Sequence, residues 1–159
     1  MTRERSLALL SLVVALGALG AALGSEYYGG LVPCALCLVE RWPYRVAAVL
    51  AVVALLLPRR FLLWLIVLCM AATVAIAGVH VGVEQGWWPS PLPECAAPSF
   101  GGGSIAERLA RMPRTVAKPC DTPTFLIPGL PLSMAGMNLA LGVAFGGFLA
   151  MSLLNPSRR

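Results

Sequence analysis

Four long apolar runs constrain this chain more than anything else in it. They are Leu7–Leu23, a second run ending at Leu57, Phe61–Val83, and Leu132–Leu154. A helix needs roughly 20 residues to cross about 30 Å of hydrocarbon, and each run is near that length. Lipid offers backbone N–H and C=O groups no partner, so a spanning segment must be a helix or part of a closed barrel. The runs are continuous rather than alternating, which selects helices. The chain is 58% hydrophobic and 12% charged, with a mean hydropathy of +0.82. Soluble domains run near 45–50% and about 25%, so a soluble fold of this size could not hide the apolar surface. The predicted fold class is an all-α membrane protein, a four-transmembrane-helix bundle. It forms a single membrane domain over 1–159, with helices at approximately 7–23, 34–57, 61–83 and 132–154 and outward loops at 24–33 and 84–131.

The second run has two possible starts. From Pro43 it has 15 residues and, at 1.5 Å per residue, a rise of about 22 Å, which is short. From Cys34 it has 24 residues and spans comfortably, with Pro43 kinking the helix about two turns in. The longer helix is preferred.

Charge orients the bundle. Arg3 and Arg5 precede the first helix, Pro58-Arg59-Arg60 joins the second to the third, and Arg158 and Arg159 end the chain. Four crossings put these segments on one side, and the positive-inside rule makes that side cytoplasmic, with both termini there. The long loop carries Arg108, Arg111, Arg114 and Lys118, balanced by Glu84, Glu94, Glu107 and Asp121, so it opposes this orientation only weakly. The N-terminus also has signal-peptide features, ending at Ala22-Leu23-Gly24. Its near-spanning length makes an uncleaved first helix the simpler reading. The net charge of +5 does not point to nucleic acid: the basic residues flank apolar segments and form no aromatic-interleaved patch.

The 84–131 loop holds nine of the thirteen prolines and Gly101-Gly102-Gly103, a composition that opposes regular structure. Ser104-Ile105-Ala106-Glu107 has capping-box form, and Ile105, Leu109 and Met112 recur at helical spacing. They predict a short amphipathic helix, lying on the outer membrane surface or packed on the protein. Tyr27, Tyr28, Trp87 and Trp88 fall at aromatic-belt positions. Gly20 and Gly24 in the first helix, and Gly136, Ala140, Gly142 and Gly146 in the fourth, suit close helix approach.

The chemistry lies in the cysteines. Cys34-Ala-Leu-Cys37 stands at the outer end of the second helix, Cys95 and Cys120 in the long outward loop, and Cys69 deep in the third helix. Four of the five thus face a compartment where disulfides persist. Three readings remain open on the residues: two structural staples, a four-thiolate zinc site, or a redox relay. A C-x-x-C loop is readily reduced and makes a poor permanent staple, and no second C-x-x-C is present to complete a common zinc pattern. Arg41 favours redox chemistry. It is i, i+4 from Cys37 on a helix, where a cation and the helix N-terminus both stabilise a thiolate. A cation at membrane depth is costly and points to function. With no haem-attachment motif and no dinucleotide fingerprint, a lipid-soluble quinone is the natural electron acceptor. Cys69 reads as a small packing residue.

Taken in order, the four helices, Pro33-Cys34-Ala-Leu-Cys37, Glu40-Arg41 and a second outward loop with two separated cysteines resemble the DsbB family, the inner-membrane disulfide-generating proteins of bacteria. The resemblance covers nearly the whole chain. It implies a protein-dithiol:quinone oxidoreductase in the bacterial inner (cytoplasmic) membrane, multi-pass, with its redox cysteines facing the periplasm. Its partner would be a DsbA-like periplasmic thioredoxin-fold protein. By position, Cys95 receives the reduced partner, Cys120 is its resting disulfide mate, Cys34 is the accessible member for exchange between the loops, and Cys37 faces the quinone (ubiquinone or menaquinone) with Arg41 polarising its oxygen. His80, at the outer end of the third helix, is a candidate to line the same quinone pocket, the commoner reading being an interfacial or hydrogen-bonded histidine. The rival readings are a vitamin K epoxide reductase-like protein, in which the C-x-x-C would follow the loop cysteines rather than precede them, and a disulfide-stapled scaffold without catalysis.

Overall fold

The computed structural model describes residues 2–95, 104–110, 118–126, 129 and 131–155. The described residues are all helical or irregular, with no strand among them. The helices are α1 (Arg3–Tyr27), α2 (Ala35–Leu56), α3 (Arg60–Glu84), the six-residue α4 (Ile105–Ala110) and α5 (Met134–Leu154), with a 3-10 turn at Pro93–Cys95. Three of them, α1, α3 and α5, are long and apolar enough to cross a membrane, with mean hydropathies of 2.3, 2.6 and 1.8. At 22 residues α2 has the length too, about 33 Å, but carries Glu40, Arg41 and Arg45 in its first half. It runs without a break through Pro43, so the short start at Pro43 is not used.

Neighbouring helices pack as α5 on α3, α3 on α2, and α2 on α1. Small residues set the close approaches. Ala47, Ala51 and Ala54 are buried along one face of α2. On α5, a Cβ added at Gly142 would lie 3.0 Å from Val74 Cγ2, and one at Gly146 3.0 Å from Met70 Cβ. These glycines are where α5 meets α3. Gly20 and Gly24 behave differently: a Cβ at either meets nothing within 4 Å. The expected packing face on α1 is therefore not a helix contact in this bundle. Leu63, Ile66, Met70 and Leu149 fill the centre. Large apolar side chains such as Val13, Val49, Leu68, Val143 and Met151 point outward and are exposed. An apolar exterior over a small-residue interior is what lipid solvation favours.

Buried hydroxyls are satisfied by their own helices: Ser11 Oγ donates to Leu7 O at 2.8 Å and Thr73 Oγ1 to Cys69 O at 3.1 Å. Helix ends are closed by specific means. α3 ends in a Schellman motif, with Trp87 N donating to Gly82 O (2.9 Å), Gly86 N to Val83 O (3.1 Å), and Gly86 at φ 70°. Trp88 then folds back: its Nε1 donates to Val79 O at 3.1 Å, and a Cβ on Gly82 would overlap its ring. It thus packs on the end of α3 while 43% of it stays exposed. At α4, Ser104 Oγ accepts from Glu107 N and Ser104 N donates to Glu107 Oε2, which forms the expected capping box. Met112 of the predicted amphipathic stripe lies outside the described residues, as do Arg111, Arg114, Arg158 and Arg159. At the far end, Arg3 Nη1 and Nη2 each donate to Asn155 O at 3.1 Å, and Nη2 also donates to Ser152 O. The first turn of α1 therefore caps the last carbonyls of α5.

Candidate functional site

Cys34 is the N-cap of α2, and its Sγ accepts from Cys37 N at 3.2 Å. This cap fixes the C-x-x-C across the first helical turn, with Cys34 and Cys37 disulfide-bonded and their Cα atoms 5.1 Å apart. The loop cysteines are also paired, Cys95 to Cys120, at a Cα separation of 5.0 Å. Cys34, Leu36, Val83, Cys95 and Cys120 form one buried cluster, with Cys37 packed against its edge. The fold thus gathers all four cysteines into one place. The loop is held there by α5: Met134 N donates to Thr124 O at 2.8 Å, and Lys118 Nζ donates to Thr124 Oγ1. Ser133, the N-cap of α5, in turn donates to Glu84 Oε2 at the end of α3.

Two expectations about access change. Cys95 is buried, at 4% exposure, rather than presented on an open loop, and Cys120 is more so. Of the helix pair it is Cys37 that is half-buried, while Cys34 is closed off by the loop cluster and by His80.

Behind this cluster lies an apolar cavity of about 200 Å³ between α1, α2 and α5. Ala18 and Ala22 of α1 form one wall, and Cys37, Glu40, Arg41, Tyr44 and Asn138 supply its sulfur and polar groups. Cys37 and Arg41, one helical turn apart, open onto the same space. Arg41 is 8% exposed. Its Nη1 lies 2.8 Å from Glu26 Oε2, an ion contact without hydrogen-bond geometry, and its Nε is buried with no hydrogen-bond partner among the described residues. An unmatched guanidinium N–H in an apolar setting is costly.

His80 does not line this cavity. Its ring sits between Cys34 and Glu40, with Nε2 3.5 Å from Cys34 Sγ and Nδ1 2.7 Å from Glu40 Oε1. It reaches the cavity only through Glu40, whose carboxylate it meets. The chain of bonds continues. Asn138 Nδ2 donates to Glu40 Oε2 at 2.7 Å, and Tyr44 Oη donates to Asn138 Oδ1 at 2.6 Å. A carboxylate only accepts, so the bond directions are set: Tyr44 to Asn138, then Asn138 and His80 Nδ1–H to Glu40. His80 Nε2 is left facing sulfur.

Sequence reading passed over Glu26, Tyr44 and Asn138 and gave Glu40 no role beyond its place in the Glu40-Arg41 pair. Glu40 and Tyr44 share a helix face with Cys37 and Arg41, a signal present in the spacing. Nothing local marks Asn138, whose partners lie 94 and 98 residues away.

A bundle of membrane-crossing helices that gathers two disulfides beside an apolar cavity belongs to the class of membrane oxidoreductases of disulfide bond formation. The model of one family in that class, disulfide bond formation protein DsbB, matches residues 4–153, and the chain belongs to the DsbB family. It is also similar to an uncharacterized protein, RP370, of Rickettsia prowazekii (strain Madrid E), at 27% identity over 157 residues, covering 97% of this chain and 90% of the relative. No solved structure matches it.

Proposed function

We propose that the chain reoxidises the dithiol of a DsbA-like periplasmic thioredoxin-fold protein and passes the two electrons to a membrane quinone, ubiquinone or menaquinone. One observation carries the reading. The Cys34–Cys37 disulfide has the Cys95–Cys120 pair on one side and the apolar cavity holding Arg41 on the other.

The steps follow from thiolate exchange. A partner thiolate attacks Cys95 Sγ and breaks its bond to Cys120. The partner's second thiol then closes its own disulfide and releases Cys95. The Cys120 thiolate attacks Cys34, and Cys95 closes on Cys120, so that two electrons rest on Cys34 and Cys37. His80 Nε2, in contact with Cys34 Sγ, is placed to accept the thiol proton, and Glu40 orients the ring. The burial of Cys95 requires the loop to open before the partner reaches it.

The cavity fits a quinone by its apolar walls and by the unmatched Arg41 Nε–H. A bound quinone supplies an acceptor for two electrons and two protons. Arg41 would hold its oxygen and Cys37 would meet its ring. The even number of crossings, with both termini cytoplasmic and the cysteines periplasmic, is supported by the contact of Arg3 with the end of α5 and by Arg59 and Arg60 at the α2–α3 turn.

The test is stoichiometry. Full-length protein in detergent, given a reduced DsbA-like partner and ubiquinone without oxygen, should consume one quinone per partner disulfide formed. Partner oxidation with no loss of quinone absorbance would overturn the reading.

A further inference from the structure

We infer that the dithiol form of this protein is a binding site for a thiophilic divalent cation of the Zn²⁺ type, with Cys34 Sγ, Cys37 Sγ and His80 Nε2 as its protein ligands. The inference rests on the reading above only in that the Cys34–Cys37 pair must open. The three donor atoms lie within 4.8 Å of one another. The contact already made, Cys34 Sγ to His80 Nε2 at 3.5 Å, matches a tetrahedral edge. A sulfur at about 2.3 Å and a nitrogen at about 2.0 Å from zinc at the tetrahedral angle stand about 3.5 Å apart.

The histidine is prepared as a ligand. Its Nδ1–H points at the Glu40 carboxylate at 2.7 Å, and Glu40 is held from its other oxygen by Asn138. A carboxylate behind a histidine is the arrangement that fixes the tautomer of metal-binding imidazoles and leaves Nε2 with its lone pair. A C-x-x-C across the first turn of a helix is a common chelating spacing. Three protein ligands leave one position open, as in sites that exchange their metal. Binding converts two thiols into two metal thiolates and releases both protons to solvent. Neither sulfur changes oxidation state, so no oxidant is needed. The bound metal occupies both sulfurs and holds the pair open.

The probe is Co²⁺, added without oxygen to full-length protein in nanodiscs. Thiols are first reduced and counted after removal of the reductant. The Cys95→Ser/Cys120→Ser/Cys69→Ser background leaves only the C-x-x-C thiols. One equivalent of Co²⁺ should give thiolate-to-cobalt charge-transfer bands and tetrahedral d–d bands, which Zn²⁺ abolishes. The oxidised protein should give none. His80→Ala, with helicity checked by circular dichroism, should weaken binding at least tenfold at an unchanged thiol count. No bands in the reduced background, or bands indifferent to His80→Ala, would overturn the metal site and leave the exchange reading intact. A C-x-x-C disulfide that cannot be reduced would overturn both.

Discussion

Glu40 is the residue on which the site turns. It accepts from His80 on α3 and Asn138 on α5 while lying on α2, and so fastens three helices at the level of the cysteines. Asn138 is the cleanest residue on which to test this, because its bond directions are forced. Asn138→Leu removes the donor to Glu40 and leaves the Tyr44 hydroxyl without an acceptor. Unsatisfied buried polar groups cost about 1–3 kcal/mol each. We expect a lower thermal midpoint and slower quinone reduction, with Tyr44→Phe/Asn138→Leu recovering stability but not rate. A double variant no more stable than Asn138→Leu would contradict the coupling. For Arg41, Lys keeps a charge but loses the planar set of donors, and Met loses both. Arg41→Lys should be impaired. Arg41→Met should lose about a hundredfold or more in quinone-dependent turnover, while exchange between partner and loop cysteines stays near normal. Stopped-flow measurement of the two steps separates them, and wild-type quinone reduction by Arg41→Met would reduce Arg41 to an interfacial charge. Cys34, Cys37 and Arg41 were legible in the sequence because all three lie within eight residues, where helical spacing is a dependable ruler. His80 stood out as a candidate, but its bond to Glu40, 40 residues away, was not legible, because no periodicity reports such a pairing.

At the scale of elements, long apolar runs announced the helices, because lipid leaves the backbone no other option. Their contacts were less legible. Glycines at a spacing of four occur on both α1 and α5, yet only the pair on α5 meets a neighbour. A glycine pattern states what a helix permits, and which partner arrives is decided by the whole bundle. A paired measurement follows. Gly146→Val should push against Met70 Cβ and cost about 1–3 kcal/mol as an overpacked contact, seen as a drop in thermal midpoint. Gly20→Ala and Gly24→Ala, with open space around the new methyl, should be neutral or stabilise by roughly 0.5–1 kcal/mol through helix propensity. Destabilisation by the α1 alanines would mean that face has a partner after all. The same spatial logic explains Trp88, where an aromatic at a helix end reads as an interfacial anchor but Gly82 leaves a seat for its ring.

The molecule as a whole is organised by sides. The aromatic-rich ends of α1 and α3, the cysteines and the cavity share one end, and Arg3, Arg59 and the close of α5 share the other. A membrane-impermeant thiol reagent on intact spheroplasts should label Tyr28→Cys, at a position that is 95% exposed, in a Cys69→Ser background. It should label Arg59→Cys only after the membrane is opened. Labelling of position 59 from outside would invert the orientation.

The clasp of Arg3 on Ser152 and Asn155 joins residues up to 152 positions apart. Synthesis delivers Arg3 well before Ser152 and Asn155, with α2 and α3 made in between. Arg3 therefore cannot reach these carbonyls until the other long helices have been made. The clasp can therefore close only once α5 has been made, and it ties the first helix of the bundle to the last.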